Sequence, residues 1–199
     1  DHLLEIGTGW GGFAIYAAKN YGCKVTSTTI SKEQHQMAKL RVDEEGLSSR
    51  INLLLEDYRD LSGQFDKLVS IEMIEAVGYQ FYSDYFKKCS SLLKADGLMV
   101  LQAITIADQQ YKKSIQSVDF IQKYIFPGGC LPSVSCMTEI MTAHTDLRVT
   151  NIEDIGPHYA FTLKEWRNRL YENIDKIKKM GYSETFIRMW HYYLGYCEG

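Results

Sequence analysis

The feature that most constrains the fold is a glycine-rich segment, EIGTGWGG at residues 5–12, which follows a short apolar run and precedes a helix-length stretch. Glycines at the end of a strand permit a tight turn and let a ligand lie against bare backbone at the carboxyl edge of a sheet. Such a cluster can also be a plain turn, but its place after the first strand favours a ligand-binding loop. The segment therefore predicts a nucleotide-type site in an α/β fold.

Strand-like and helix-like segments alternate after this loop. The alternation predicts an α/β domain with a mostly parallel sheet and helices on both faces. Ser31, followed by Gln34 three residues later, is a capping-box pattern that marks a helix start. The predicted strands are 3–6, 24–29, 51–55, 67–72, 97–104 and 148–155, and the predicted helices are 12–20, 31–45, 83–93, 163–180 and 183–197.

Residues 107–147 interrupt the alternation with a long connection that holds the sequences FPGG and LPS. Connections of this length in a compact domain usually carry function. We expect this one to cover the substrate. We expect residues 1–199 to be one domain. We also expect it to be truncated at both ends, because the first strand begins almost at residue 1 and no seventh strand follows the sixth.

The composition excludes several classes of function. A formal charge of −3 and a pI near 6.0 give no reason to bind nucleic acid. The five cysteines form no C-x-x-C pair and the histidines are scattered, so we expect no disulfide framework and no metal site. The longest apolar stretch, residues 98–107, is too short to span a bilayer. A cytoplasmic protein with reduced thiols fits these observations.

The acidic residues favour S-adenosylmethionine (SAM) over a dinucleotide. A dinucleotide-binding domain needs an acid at the end of its second strand, where this chain has Ser27, Thr28 and Thr29. The acids lie instead at Glu5, before the loop, and in Asp57-Tyr58, after the third strand. Glu5 can organise the turn, while Asp57 and Tyr58 can accept the adenine amine and flank its ring. The alternative for Asp57 is a simple strand-end cap.

Several longer motifs resemble the cyclopropane fatty acyl phospholipid synthase family, which includes mycolic acid methyltransferases and plant cyclopropane synthases. They run in order along nearly the whole chain: EIGTGWGG, TISKEQ, DYRDL, EMIEAVG, KYIFPGGCLPS and GPHYAFTL. EMIEAVG with LQAI most resembles the plant-like branch. The resemblance implies a Rossmann-like SAM methyltransferase fold of seven strands, of which the last would be missing here.

The resemblance also implies a cofactor and a reaction. In the family, the sulfonium methyl group of SAM passes to the double bond of an unsaturated acyl chain, and a bound bicarbonate accepts the proton that the resulting carbocation loses as the ring closes. With Glu5 from the spacing, the expected SAM contacts are Glu5, Gly7, Gly9, Trp10, Thr29, Ile30, Gln34, Asp57 and Tyr58.

The bicarbonate pocket of the family maps onto Glu75, Tyr159 and the backbone of Thr8 and Ile104. Many bacterial members have cysteine where this chain has Thr8, and histidine where it has Gln102. An amide at Gln102 can hydrogen-bond bicarbonate but cannot titrate near neutral pH. The alternatives to these catalytic roles are structural: Glu75 could be a solvated or capping carboxylate, and Tyr159 an ordinary half-buried tyrosine.

Three functions stay open. The first is a cyclopropane synthase that acts on unsaturated phospholipid at the membrane surface, as a peripheral enzyme. The second is a SAM-dependent methyltransferase that makes methyl-branched lipids or N-methylates a small amine. The third is a non-catalytic SAM-binding module, which the retained Glu75 and Tyr159 disfavour. The sequence leaves the oligomeric state open, a homodimer included.

Overall fold

The computed structural model of the protein describes residues 1–198. Its centre is a five-stranded sheet in which every neighbouring pair is parallel, in the order β3-β2-β1-β4-β5. The predicted α/β class with a mostly parallel sheet is thereby confirmed. The strands are β1 (His2–Ile6), β2 (Lys24–Thr28), β3 (Ile51–Leu54), β4 (Phe65–Ile71) and β5 (Leu93–Gln102).

Helices cover both faces of the central strands, because alternate residues of each strand point to opposite sides. Leu3 of β1 packs into a cluster with α1 (Gly12–Tyr21) and α2 (Lys32–Glu44). Its neighbour Leu4 packs on the other face, where α3 (Tyr82–Leu92) supplies Tyr82, Tyr85 and Phe86. Because all the strands are parallel, the loops that follow them lie at the carboxyl edge of the sheet, and these loops carry most of the predicted site residues.

The strand predicted at 148–155 is wrong, because these residues form no strand. Their apolar members, Val149, Ile152 and Ile155, recur every three residues, whereas a strand with one buried face needs a repeat of two. All three are more than a third exposed. β5 is therefore an edge strand of the described sheet, with Leu98 and Val100 55% and 60% exposed.

The predicted connection at 107–147 contains three helices: α4 (Asp108–Ser114), α5 (Phe120–Tyr124) and α6 (Val134–His144). Local capping explains two of them. Asp119 and Gln122 form a complete capping box at α5, and the Ser133 hydroxyl accepts from the Cys136 N–H at 3.2 Å to begin α6. The glycine and proline pairs between these helices obscured the capping signals.

The remaining helices are α7 (Gly156–Glu172), α8 (Ile174–Lys179) and α9 (Glu184–Glu198). The helix predicted at 163–180 begins seven residues earlier than expected, with Pro157 in its first turn, and is interrupted at Asn173. Among residues 1–198, no helix combines the length and the apolar character needed to cross a membrane.

The chain divides into two compact units. The first holds the sheet and comprises Asp1–Ser117 and Gly128–Arg148. The second is helical and comprises Val118–Pro127 and the chain from Val149 onward. Its core is formed by Leu163, Tyr193 and Leu194, with further aromatic and aliphatic side chains around them.

Candidate active site

The glycine loop is fixed by backbone hydrogen bonds at the end of β1. The N–H groups of Gly7 and Thr8 both donate to the Thr28 carbonyl at 3.0 Å, and the Gly11 N–H donates to the Thr8 carbonyl at 2.9 Å. Gly7, Gly9 and Gly11 all have positive φ, which side-chain-bearing residues rarely adopt. A Cβ on Gly9 would meet nothing within 4 Å, so the backbone there faces open space that a ligand can fill.

Glu5 holds the loop through two hydroxyl groups. It is 3% exposed, its Oε2 accepts from the Ser27 hydroxyl at 2.5 Å, and the Ser27 and Thr8 hydroxyls lie 2.7 Å apart. Burial raises the pKa of Glu5 to about 7, against the opposing effect of the Ser27 hydrogen bond. The Thr8 hydroxyl is thus directed into this buried chain, which leaves the backbone of Thr8 as the part facing the loop.

Thr29 links the end of β2 to the start of α2. Its hydroxyl donates to Gln34 Oε1 at 3.0 Å and accepts from the Ser31 N–H at 3.1 Å. Ser31 caps the helix by accepting from the Gln34 N–H at 3.2 Å. The capping box predicted here is therefore only half formed, because the Gln34 side chain bonds Thr29 instead of returning to Ser31. This places two predicted cofactor residues in direct contact.

Asp57 caps the 3-10 turn Tyr58–Asp60 that follows β3, and Arg59 clamps it from the same turn. Arg59 Nε lies 2.9 Å from Oδ1 and Nη2 lies 2.7 Å from Oδ2, which makes a bidentate pair. Hydrogen bonding from Arg59 lowers the pKa of Asp57. The alternative role of Asp57 as a cap is thus present in the structure. Sequence reasoning did not identify Arg59, although its spacing of two residues could have suggested the pair.

Two predicted apolar cofactor residues are unusually exposed at this edge of the sheet. Trp10 is 55% and Ile30 76% exposed, and the Trp10 carbonyl accepts from Arg41 Nη1 at 2.6 Å. Tyr58 instead packs edge-on against Tyr85, with ring centroids 5.6 Å apart. A bound cofactor in contact with Trp10 and Ile30 would remove apolar surface from water.

Glu75 lies in the 3-10 turn Ile74–Ala76 after β4. Its Oε1 accepts from the Ile104 N–H at 2.5 Å, so the structure joins two of the predicted bicarbonate groups directly. Its Oε2 is buried and has no hydrogen-bond partner within residues 1–198. Burial, with a smaller contribution from the charge of Glu72, raises the pKa of Glu75. A buried oxygen of this kind is the best-founded ligand acceptor at the site.

Gln102, at the end of β5, bonds Glu72. The Glu72 N–H donates to the Gln102 carbonyl at 2.9 Å, and Gln102 Nε2 donates to Glu72 Oε1 at 2.8 Å. Glu72 has φ +50°, and it is the only residue other than glycine with positive φ among the described ones. Such strain concentrates at functional sites. Glu72 is not among the site residues predicted from the sequence, although a charged residue directly after an apolar strand is a signal for one.

Tyr159 lies in the first turn of α7, in the second unit. It packs beside the core of that unit and meets Trp166 edge-on, with ring centroids 6.3 Å apart. Its expected approach to Glu75 stays a prediction. In the part of the chain that the structure describes, no three His, Cys, Asp or Glu side chains are grouped as metal ligands.

Comparison with known proteins gives a consistent result. The family model for mycolic acid cyclopropane synthetase matches residues 1–199. Tuberculostearic acid methyltransferase UfaA1 of Mycobacterium tuberculosis is 44% identical over 198 residues, which are 100% of this chain and 46% of that protein. Cyclopropane-fatty-acyl-phospholipid synthase of Escherichia coli is 42% identical over 198 residues, which are 99% of this chain and 49% of that protein.

A solved structure matches the fold. Mycolic acid cyclopropane synthase CmaA1, complexed with SAH and CTAB, superposes with a TM-score of 0.88 and 29% identity, over 99% of this chain and 72% of that one. The chain spans about half the length of the two curated relatives described above.

Proposed function

This chain belongs to the mycolic acid cyclopropane synthetase family, and we propose that the protein containing it is a SAM-dependent methyltransferase that forms a cyclopropane ring on unsaturated phospholipid. One methylene group is added across the cis double bond of an acyl chain, with release of one proton. The protein meets its substrate at the membrane surface.

The residues around the glycine loop fit SAM. The backbone of Gly9 borders open space, and the exposed Trp10 and Ile30 offer apolar cover to an adenosyl group. Thr29 and Gln34 present a linked pair of polar side chains, and the Gln34 amide nitrogen keeps two donors for a ligand. When bound, SAM supplies an electrophilic methyl group on a positively charged sulfur. Asp57 can accept a hydrogen bond from the adenine amine of SAM through carboxylate lone pairs that do not face Arg59.

The observation that carries the proposal is the buried, unpartnered Oε2 of Glu75 at the same sheet edge. A desolvated carboxylate held by the Ile104 N–H can orient a small hydrogen-bonding group with little freedom. Bicarbonate fits this role, because its hydroxyl can donate to Glu75 while its other oxygens accept a proton. Gln102 and the backbone of Thr8 and Ile104 would complete the pocket.

Methyl branching without ring closure is the second candidate. It is favoured by the 44% identity to a protein named as a tuberculostearic acid methyltransferase, against 42% to a cyclopropane synthase. Both reactions begin with methyl transfer to the same double bond. The proposals therefore differ only in how the acyl chain completes the reaction.

Mass spectrometry of the lipid product tests the proposal. The full-length protein is incubated with SAM and phospholipid that carries one oleoyl chain, and the released fatty acids are analysed. Net addition of CH₂ raises the mass of the monounsaturated acid by 14 units, and a ring makes the product resistant to ozone. A product of the same mass that ozone cleaves would indicate a branched alkene. If the lipid mass does not change while the protein binds SAM, the lipid assignment is wrong.

A further inference from the structure

The segment 128–133, here called the strap, is hydrogen-bonded to the turn that carries Glu75 and to the segment that follows β5. The Cys130 N–H donates to the Glu75 carbonyl at 2.8 Å, and the Cys130 carbonyl accepts from the Tyr82 hydroxyl at 2.7 Å. Two residues later, the Pro132 carbonyl accepts from the Ile106 N–H at 3.0 Å. All of these residues lie in the first unit.

Cys130, Pro132 and Ser133 of the strap are buried although the strap has no regular secondary structure. Cys130 is 6% exposed, Ser133 is 2% exposed, and the Pro132 side chain is fully buried. Buried irregular backbone must have its polar groups paired, because each unpaired group has a large desolvation penalty. For Cys130, the partners that satisfy both backbone groups are Glu75 and Tyr82.

The strap also connects the two segments that carry Glu75 and Ile104. One end is bonded to the turn that carries Glu75, and the other to the segment after β5 that carries Ile104. The Glu75–Ile104 hydrogen bond joins the same two segments directly. Movement of the strap would therefore change the position of both groups together.

We propose that Tyr82 is a positioning residue for Glu75, which it holds in place through the strap. The inference rests on the proposed function, because the role of Glu75 in lipid methylation belongs to it. Tyr82 lies in α3, is 0% exposed and touches the strap through its hydroxyl. Tyr82 acts indirectly, because its hydroxyl bonds Cys130, and Cys130 in turn donates to the Glu75 carbonyl.

Tyr85 provides a matched control within the same helix. It is also 0% exposed, but its hydroxyl lies beside Ser70 and Cys89 and makes no hydrogen bond of good geometry in the described part of the chain. Tyr82→Phe and Tyr85→Phe therefore remove the same atom from the same helix. Only the first removes a hydrogen bond to the strap.

The test measures kcat for lipid methylation and Kd for SAM in the full-length protein. Because loss of one buried hydrogen bond typically corresponds to about a fivefold change, we expect Tyr82→Phe to lower kcat roughly fivefold and to leave Kd within about twofold. Tyr85→Phe should keep both values. In a Glu75→Gln background, Tyr82→Phe should cause no further loss, because residues that act through one group are not additive. Equal losses in the two tyrosine variants, or additive losses with Glu75→Gln, would overturn the proposal.

Hydrogen exchange tests the strap without any activity. The Cys130 amide should exchange about tenfold faster in Tyr82→Phe than in wild type, and at the wild-type rate in Tyr85→Phe. If the wild type methylates no lipid, the proposed function fails, while this measurement still decides whether Tyr82 holds the strap. If Tyr82→Phe does not fold, NMR of the wild type should show a slowly exchanging Tyr82 hydroxyl proton bound to the Cys130 carbonyl, and a freely exchanging one would overturn the proposal. A Cys130 amide as labile as that of an unstructured peptide would refute the strap.

Discussion

The two sides of the site, at the ends of β1–β3 and at the ends of β4 and β5, differ in how their polar groups are paired. At the ends of β1–β3, the polar side chains of the glycine-loop side are paired with one another, as in Thr29 with Gln34 and Asp57 with Arg59. At the ends of β4 and β5, the carboxylate side uses Glu75 with one unpartnered oxygen and Glu72 in a strained backbone conformation. Paired groups suit reversible binding, whereas strained and desolvated groups suit a reaction. Changes on the first side should therefore alter SAM affinity or stability, and changes on the second should alter turnover.

The largest expected effect is on the carboxylate side. Glu75→Gln keeps the size of the side chain but removes the charge that, in the proposed reaction, orients the proton acceptor, so kcat should fall about 100-fold, or roughly 2.7 kcal/mol. Calorimetry should find the Kd for SAM within about twofold of wild type. A variant whose main defect is in SAM binding would break the division between the two sides.

Glu5 gives the next effect, and it is one of stability. Since burial raises the folded-state pKa of Glu5 from 4.5 to about 7, the folded protein holds an extra proton between these values. The stabilisation is complete below pH 4.5 and is lost as the pH rises through 7. Thermal melts from pH 4.5 to 8 should show this decline in wild type and a flatter profile in Glu5→Gln.

Glu33 provides the control for that experiment, because it is a fully exposed carboxylate on α2. Glu33→Gln should retain the wild-type decline. An equal flattening in both variants would mean that the decline does not come from Glu5.

Gly11→Ala should weaken the loop itself. Gly11 has φ +82°, and an added Cβ would lie 3.0 Å from the Ala38 Cβ in α2. The combined strain should lower the unfolding free energy by about 1–2 kcal/mol and weaken SAM binding. Gly12→Ala is the matched control, since its Cβ meets nothing within 4 Å at the start of α1. Equal denaturation midpoints for the two variants would argue against a tight loop.

The smallest effect separates strain from charge at Glu72. Glu72→Gly and Glu72→Ala both remove the carboxylate and its bond to Gln102, but only glycine accepts φ +50° without cost. Glu72→Gly should therefore be the more stable of the two by about 1 kcal/mol in urea titrations. If alanine is as stable as glycine, the backbone at Glu72 is not strained.

Local patterns predicted the glycine-loop side well. The turn at Gly7–Gly12, the cap at Ser31 and the ends of β1–β3 are properties of adjacent residues, so they can be inferred from the chain alone. The strand predicted at 148–155 is the exception, because the apolar residues there recur every three positions and form no strand. The capping box at Asp119 is equally local. The glycine and proline residues that follow it are typical of turns, so the sequence predicted a connection there and not a helix.

The carboxylate side depends on contacts between distant residues, which local patterns do not contain. Glu72 meets Gln102 across 30 positions, and Glu75 meets Ile104 across 29. Family resemblance pointed to Glu75, Gln102 and Ile104 but not to their pairing or to Glu72. The Asp57–Arg59 clamp was also unforeseen, since two neighbouring charges form a bidentate pair only in one particular turn geometry.

The free side of β5 has a consequence for handling the isolated polypeptide. Alternate residues of β5 direct their backbone donors and acceptors to that edge of the described sheet, and Leu98 and Val100 stand exposed on one face. An unpaired edge with exposed apolar side chains is a template for adding strands from other molecules. Self-association should therefore increase with protein concentration and with storage time. Leu98→Lys should reduce this association, so its solutions should scatter less light than those of the wild-type sequence.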